Sequence, residues 1–407
     1  MNVIGDLEAA AGFSAPGRGV TRLAWAPEHL DSLQWLIGRL RENDIPADLD
    51  AAGNVIGRWA PDGAKGPAIC LGSHFDSVPA GGKFDGALGV VGALGAIELL
   101  RERNAQLQSP LWLGAFMDEE GARFGESMFG SRAFVGQDLD DYLQLLDEQG
   151  QSVQQAMEVA GLSAADLPSA CAVDQVGAFL ELHIEQGRVL AEAGADIGVV
   201  TGVVGLLQGR ITVKGQSDHG GATPMPERRD ALVASARMIT ELRNWARQRH
   251  DCTATVGTIS VSPGAYNVIP GECTFSIDVR LAHPDEFQVE IPGAVEVLLR
   301  GVARDENVEI TGMQFTDCIP PAAMSQRLQE LIQQAAEDEG ASDMRLPSGA
   351  GHDAQILARH VPVAMIFVPS KDGISHSPDE FTSDEHCELG ARVLARTVEL
   401  MQGTSWR

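Results

Sequence analysis

The sequence predicts an α/β protein: a sheet domain covered by helices on both faces, interrupted by a smaller α+β domain of ferredoxin-like order. Three observations predict it. At 407 residues the chain is longer than one ordinary core accommodates. Short apolar strands alternate with helical stretches along its first half, the pattern of a sheet with helices on both sides. Between residues 206 and 316 the order changes to β-α-β-β-α-β, and then the first pattern resumes.

The elements follow from hydrophobic spacing. Helical periodicity runs from Ala24 to Leu40, and Ala68–Gly72 reads as a short buried strand. A glycine-rich loop leads into a helix over Val90–Leu100, followed by an apolar strand over Leu111–Met117. The segment Asp138–Asp166 is polar, Gln-rich and helical in character, and Ala178–Ile184 returns to a strand. The interrupting domain holds strand Gln208–Lys214, amphipathic helix Arg229–Arg249, strands Thr253–Val261 and Glu272–Leu281, helix Asp285–Asp305 and strand Val308–Phe315. After Pro320 and Pro321 come a helix over Ser325–Glu339 and a buried strand over Pro362–Val368. The expected domains are therefore residues 1–205 with 317–407, and residues 206–316. Internal repeats and low-complexity tracts are absent from the sequence.

A formal net charge of -27 repels phosphate, which argues against nucleic-acid or anionic-membrane partners. The first residues carry Asp6 and Glu8 and lack a basic stretch before an apolar one, so no signal peptide is expected. No apolar run nears the roughly 20 residues that span a bilayer. The six cysteines are scattered without a CxxC pair, which suggests reduced thiols and a cytoplasmic protein.

Five short segments place acids and imidazoles where strands meet loops. They are Gly72–Ser77 with His74 and Asp76, Gly81–Gly86 with Asp85, Met117–Gly121 with Glu119 and Glu120, His183–Gly187 with Gln186, and Ile374–Glu380 with His376. Ligand sites of open α/β sheets gather at the carboxyl ends of strands, where these segments would converge. Carboxylates and neutral imidazoles suit hard or borderline divalent cations. Adjacent Glu119 and Glu120 would point to opposite sides of a strand, so one could ligate while the other faces water. Asp76, two residues beyond His74, is placed to hold the second imidazole nitrogen. Each segment alone has an ordinary structural reading: a loop acid is usually solvated, Gly81-Gly82 can be a plain turn, and His183 a satisfied core histidine. Five in this order point to chemistry.

With these motifs in view, the chain resembles the M20 metallopeptidase-type amidohydrolases, and within them the hydantoinase/carbamoylase branch of N-carbamoyl-L-amino acid hydrolases, β-ureidopropionases and allantoate amidohydrolases. The likeness runs from Gly19-Val20-Thr21-Arg22-Leu23-Ala24 to His376-Ser377-Pro378. Asp85 follows His74 by 11 residues and Glu120 follows Asp85 by 35, spacings expected for that family. The resemblance implies two divalent cations, zinc or else manganese, cobalt or nickel. Asp85 would bridge them, with His74 and His183 on one and Glu120 and His376 on the other. It also implies that Glu119 is the general base, that a carbamoyl C–N bond is cleaved, and that carbamate then breaks down to CO2 and ammonia. Related aminoacylases and dipeptidases usually carry a carboxylate where this chain has His183, and Gln186 offers an amide complementary to a ureido group.

By the same resemblance the interrupting domain is a lid and dimerisation domain. Its His219, in Ser217–Met225, would stabilise the oxyanion, and Asn267 and Arg280 would contact substrate. Arg280 at a strand end would otherwise be read as surface. The loop Gly349-Ala350-Gly351 offers backbone N–H groups to the same substrate carboxylate, with His352 and Asp353 behind the ligands. The chain departs from the usual lid motif at Gly220, Gly221 and Ala222, and has Gln355 where Met is more usual, which leaves the substrate open. A homodimer acting on a small ureido acid is the resulting expectation. The rivals are an aminoacylase or dipeptidase, opposed by His183 and Gln186, and a non-catalytic binding protein, opposed by an intact Glu119. His29, His250, His283, His360 and His386 are expected to be surface or structural.

Overall fold

The computed structural model describes residues 1–249, 252–282 and 284–402; His250 and His283 lie outside the described residues. The chain forms two compact units, Met1–Val203 with Ala323–Arg407, and Val204–Ala322.

In the first unit, strands Leu111–Phe116, Ala68–His74, Val176–Ile184 and Val363–Val368 lie side by side, all parallel and all buried. Val55–Trp59 extends the sheet antiparallel on the Leu111–Phe116 side, and Ile197–Val203 pairs antiparallel with Val363–Val368 on the other. A strand buried on both faces reads as a continuous apolar run, which is why these four were legible in sequence. Strand Val176–Ile184 shows the two faces directly, because neighbouring side chains point opposite ways. Leu182 packs beneath Gly92 of helix Ala87–Glu102 and Gly390 of helix Asp384–Met401. Glu181 faces the other layer and accepts a hydrogen bond from Ala354 N–H of helix Asp353–Leu357 at 3.0 Å.

Several elements are not among those expected: helix Val3–Ala11, strands Ala47–Leu49, Val55–Trp59, Ile197–Val203 and Asp343–Ser348, and helix Asp384–Met401. The helical character read into residues 138–166 is largely corrected. Only Val153–Val159 is α-helical, opened by a capping box between Ser152 and Gln155, with short 3-10 turns around it. Before that helix Asp147 closes a turn by accepting the Gln149 and Gln151 N–H groups, a local alternative to helix. Among the described residues no helix is long and apolar enough to cross a membrane.

His29 belongs to the core, 0 % exposed, and among the described residues neither ring nitrogen has a hydrogen-bond partner. Burial first, then the positive charges of Arg22 and His74, hold its pKa well below the ordinary histidine value. The folded chain therefore keeps His29 neutral, whereas the unfolded chain protonates it near its ordinary pKa of about 6.5. Stability is expected to fall as pH drops below that point, by up to about 1.4 kcal/mol per pH unit from this group. His29→Leu should flatten that slope in urea titrations repeated from neutral to mildly acid pH; an unaltered slope would assign the acid sensitivity elsewhere.

The second unit is an antiparallel sheet in the order Glu309–Ile319, Gly205–Lys214, Glu272–Leu281, Cys252–Thr255, with Ile259–Ser262 also on Glu272–Leu281. Helices Ala231–Arg247 and Pro284–Asp305 pack on it around Leu207, Ile211, Phe275 and Ile277. The strand expected over Thr253–Val261 is two short strands. Between them the Ser276 hydroxyl accepts the Gly257 and Thr258 N–H groups at 3.2 and 3.0 Å, replacing ladder bonds with a side-chain partner.

Candidate metal centre

Four parallel strands deliver the site. His74 ends Ala68–His74, Glu119 and Glu120 follow Leu111–Phe116, His183 lies near the end of Val176–Ile184, and His376 follows Val363–Val368. Asp85 comes from the loop that opens helix Ala87–Glu102. Gly86 makes the approach possible. It has φ 63°, and a Cβ there would lie 2.3 Å from the His74 ring, so only glycine fits.

Donor atoms form two groups sharing one residue: His74, Asp85 and His183, and Asp85, Glu120 and His376. Within each group the ligand atoms lie within 4.8 Å of one another. Asp85 Oδ1 stands 3.4 Å from His74 Nε2 and 3.2 Å from His183 Nε2. Its Oδ2 stands 3.4 Å from His376 Nε2, which is 3.3 Å from Glu120 Oε2. His376 is half exposed, whereas Asp85 and the other two imidazoles are buried.

The outer atoms of the imidazoles fix their inner ones. His74 Nδ1 is 3.2 Å from the Asp76 carbonyl and His183 Nδ1 is 2.9 Å from the Ile184 carbonyl, so in each ring Nδ1 carries the proton. Gly86 N–H donates to His183 Nε2 at 3.2 Å, consistent with a bare lone pair there. Lone pairs of Nε2 thus face carboxylate oxygens at near-contact distance, an arrangement that calls for a cation between them. The same carboxylates raise the proton affinity of the imidazoles. For His376, Asp85 first and then Glu120, against burial, push the pKa up to about 9. Burial opposes charge on His74 and His183, yet Glu119 and Asp85 raise the first well above its ordinary value and Asp85 raises the second. Glu120, buried and beside Asp85, is pushed up to about 7, and burial with Asp353 raises Glu119 well above the carboxylate range.

Asp76 requires a correction. Its carboxylate is 3.8 Å from His74 Nδ1 and instead accepts the Glu119 and Glu120 N–H groups at 3.1 and 3.2 Å; it is the Asp76 carbonyl that meets the imidazole. Glu119 and Glu120 lie beyond the strand, after Asp118 at φ 54°, so strand alternation does not set their directions: Glu119 Oε2 stands 3.7 Å from His74 Nε2 and Glu120 Oε2 3.3 Å from His376 Nε2. Gln186 donates from Nε2 to Asp85 Oδ2 at 2.8 Å, while its buried Oε1 takes no partner among the described residues. In the Gly349-Ala350-Gly351 loop the Ala350 N–H is already bonded to Ser348 Oγ at 3.2 Å, which removes one of the expected anion donors. The His352 ring packs edge-on to His183 at 4.5 Å, and buried Asp353 is pushed up to about 8, by desolvation first and then by Glu181.

His219, Asn267 and Arg280 belong to the second unit. The loop of His219 is tied to the Asn267 segment by Gly220 N–H on the Asn267 carbonyl at 2.8 Å. His219 Nδ1 accepts the Gly221 and Ala222 N–H groups at 3.1 Å each, which leaves the proton on Nε2. Arg280 forks onto Asp278 of its own strand at 3.0 and 3.1 Å, since residues two apart share a strand face.

Glu380 went unread in the sequence. It accepts Phe84 and Asp85 N–H at 3.0 and 3.1 Å and Ser375 Oγ at 2.9 Å, while Ser375 also reaches Asp85 Oδ2 at 2.8 Å. Together they set the Asp85 loop, and Gly82 leaves the room: a Cβ there would lie 2.0 Å from Glu380 Oε1. In the sequence Glu380 closes the fifth segment, four residues after His376, with no role assigned to it. Glu181 also escaped notice; buried, it takes the Ser73 hydroxyl at 2.6 Å.

Residues 70–400 match the family described as Peptidase family M20/M25/M40. The chain is 40% identical over 392 residues to an N-carbamoyl-L-amino-acid amidohydrolase of Paenarthrobacter aurescens, covering 96% of this chain and 95% of that one. It is 36% identical over 385 residues to an allantoate amidohydrolase of Bacillus subtilis, covering 94% and 92%. A crystal structure of a hydantoinase/carbamoylase family amidase from Burkholderia vietnamiensis superposes with TM-score 0.85 at 32% identity, over 98% of this chain and 96% of that one. With the family match spanning most of its length and such relatives along nearly all of it, the chain belongs to peptidase family M20/M25/M40.

Proposed function

We propose that this chain is a dinuclear-metal amidohydrolase that cleaves the carbamoyl C–N bond of N-carbamoyl-L-amino acids or a related ureido acid, releasing amino acid, CO2 and ammonia. The observation that carries it is Asp85, whose two oxygens face three imidazole Nε2 atoms at 3.2–3.4 Å. The donor set fits two divalent cations: His74 and His183 on one side, Glu120 and His376 on the other, Asp85 between, with Glu120 Oε1 buried and unpartnered among the described residues. Bound there, such cations supply Lewis acidity that polarises a carbonyl and acidifies water. The ligands also suit zinc, manganese, cobalt and nickel alike.

Glu119 takes the proton of the attacking water, and its raised proton affinity lets it hold that proton and pass it to the departing nitrogen. Gln186 Oε1 is an acceptor for the ureido NH2. In the second unit, His219 presents Nε2–H as a donor for the oxyanion. Arg280 binds the substrate carboxylate bidentately after exchanging Asp278 for it, with Asn267 as a further contact. That unit acts as lid and dimerisation surface of a homodimer. The six unbridged cysteines favour work in the cytoplasm.

An allantoate specificity is the second reading, supported by the Bacillus subtilis relative. Ammonia release is the test, across allantoate, N-carbamoyl-β-alanine and a series of N-carbamoyl-L-amino acids, with metals added back to chelated enzyme. The expected result is metal-dependent ammonia from at least one ureido acid. Turnover of N-acetyl amino acids alone would replace the proposal with an aminoacylase.

A further inference from the structure

Arg22 belongs to the Gly19–Ala24 segment, for which the chemistry above has no use. Its side chain is nevertheless almost wholly inside, 2 % exposed. Nε donates to the Phe75 carbonyl at 2.5 Å and Nη1 to the Ala10 carbonyl at 2.7 Å, and the guanidinium lies 4.5 Å from the Phe75 ring centroid. The backbone repeats the grip: Arg22 N–H donates to Ser77 Oγ at 2.9 Å, and Ser77 N–H donates to the Arg22 carbonyl at 3.0 Å. Among the described residues no carboxylate is hydrogen-bonded to this guanidinium. A buried cation hydrogen-bonded to two carbonyls, with a ring face and the nearby Asp76 charge as its further support, is an expensive way to fill a core, since desolvation is offset by few strong partners.

The gripped segment explains the expense. Between Phe75 and Ser77 stands Asp76, whose carboxylate accepts both the Glu119 and the Glu120 N–H groups and whose carbonyl meets His74 Nδ1. One residue therefore contacts the proposed base and two proposed ligands at once. Arg22 reaches that segment through the Phe75 carbonyl and ring face and through the backbone and hydroxyl of Ser77.

We propose that Arg22 is a positioning residue, clamping Phe75 and Ser77 on either side of Asp76 so that Asp76 holds the Glu119–Glu120 turn and the His74 imidazole in register. The proposal rests on the dinuclear-metal reading. Arg suits the task because its planar fork serves two carbonyls in fixed directions, which the point charge of lysine cannot do.

The test compares wild type, Arg22→Lys and Arg22→Ala as full chains, at a temperature where circular dichroism shows each folded, with kcat, KM and metal content measured on one N-carbamoyl-L-amino acid. For Arg22→Ala, kcat is expected to fall about 100-fold, as displacements of about 1 Å at reacting groups do. KM should stay nearly constant, Arg22→Lys should be impaired less, and millimolar guanidinium, but not equal urea, should restore part of the lost kcat of Arg22→Ala. Folded variants with wild-type kcat would overturn the proposal, as would a loss that guanidinium leaves untouched. If Arg22→Ala fails to fold, a cycle of Arg22→Lys with Asp76→Asn decides: effects well short of additive are expected, and additive ones refute the clamp. Chelated wild type keeps the two failures apart. Turnover that survives chelation refutes the metal reading, whereas a metal-dependent wild type beside an unimpaired Arg22→Lys refutes only the clamp.

Discussion

Glu119→Gln is expected to lower turnover by about two to four orders of magnitude, the range general-base catalysis contributes, while metal content stays at the wild-type level. The amide matches the carboxylate in size but cannot accept a proton. The Glu119 side chain is 8% exposed, and its Oε2 stands 3.7 Å from His74 Nε2, beyond a hydrogen bond, so the substitution leaves the imidazoles with Asp85. Its neighbour supplies the control. Glu120 Oε2 lies 3.3 Å from His376 Nε2 inside the second donor group, so Glu120→Gln should lose metal together with activity. Metal analysis alongside kcat separates the two outcomes. A Glu119→Gln enzyme that keeps most of its turnover, or sheds its metal, would remove Glu119 from the role of base.

Removing the cations is expected to cost about a thousandfold or more in activity, matching the several kcal/mol of Lewis-acid stabilisation. It should also lower the melting temperature, because ions bound at about 100 to 1,000 times their Kd add roughly 3–4 kcal/mol to the folded state. Asp85→Ala should reproduce both losses at a single position, since among the described residues Asp85 alone belongs to both donor groups. Its melting curve should then be indifferent to chelator, whereas the His183→Ala enzyme should keep a partial response. Reloading must also follow pH in one direction. The imidazoles ligate only when deprotonated, and His376 is pushed up to about 9, so uptake should release protons and weaken as the pH falls below that value. Titration of chelated enzyme with metal at several pH values measures this. Asp85→Ala that binds two ions per chain would sink the shared-ligand arrangement.

Much of the first unit was legible because its central strands are buried on both faces and therefore read as unbroken apolar runs. The edge elements were not. Ala47–Leu49 and Val55–Trp59 are short and partly exposed, and only pairing with Leu111–Phe116 makes the latter part of the sheet. The gap at Gly257 and Thr258 was hidden for a similar reason, since the hydroxyl that interrupts the strand comes from Ser276, 18 to 19 residues away.

Beyond the ligand set that the family resemblance implies, the sequence by itself determined which segments carry acids and imidazoles beside an apolar strand or a glycine turn: those of His74 and Asp76, Asp85, Glu119 and Glu120, His183, and His376. Side-chain chemistry and strand polarity suffice for that, because parallel strands carry their following loops to one edge. Which atoms meet was decided only by the tertiary structure. Asp76 gives its carboxylate to two backbone N–H groups and its carbonyl to His74, Arg280 turns to Asp278, and Glu380 reaches back almost 300 residues to the Asp85 loop. Hydrogen bonds discriminate over fractions of an ångström, and distances of that size exist only once remote segments have packed.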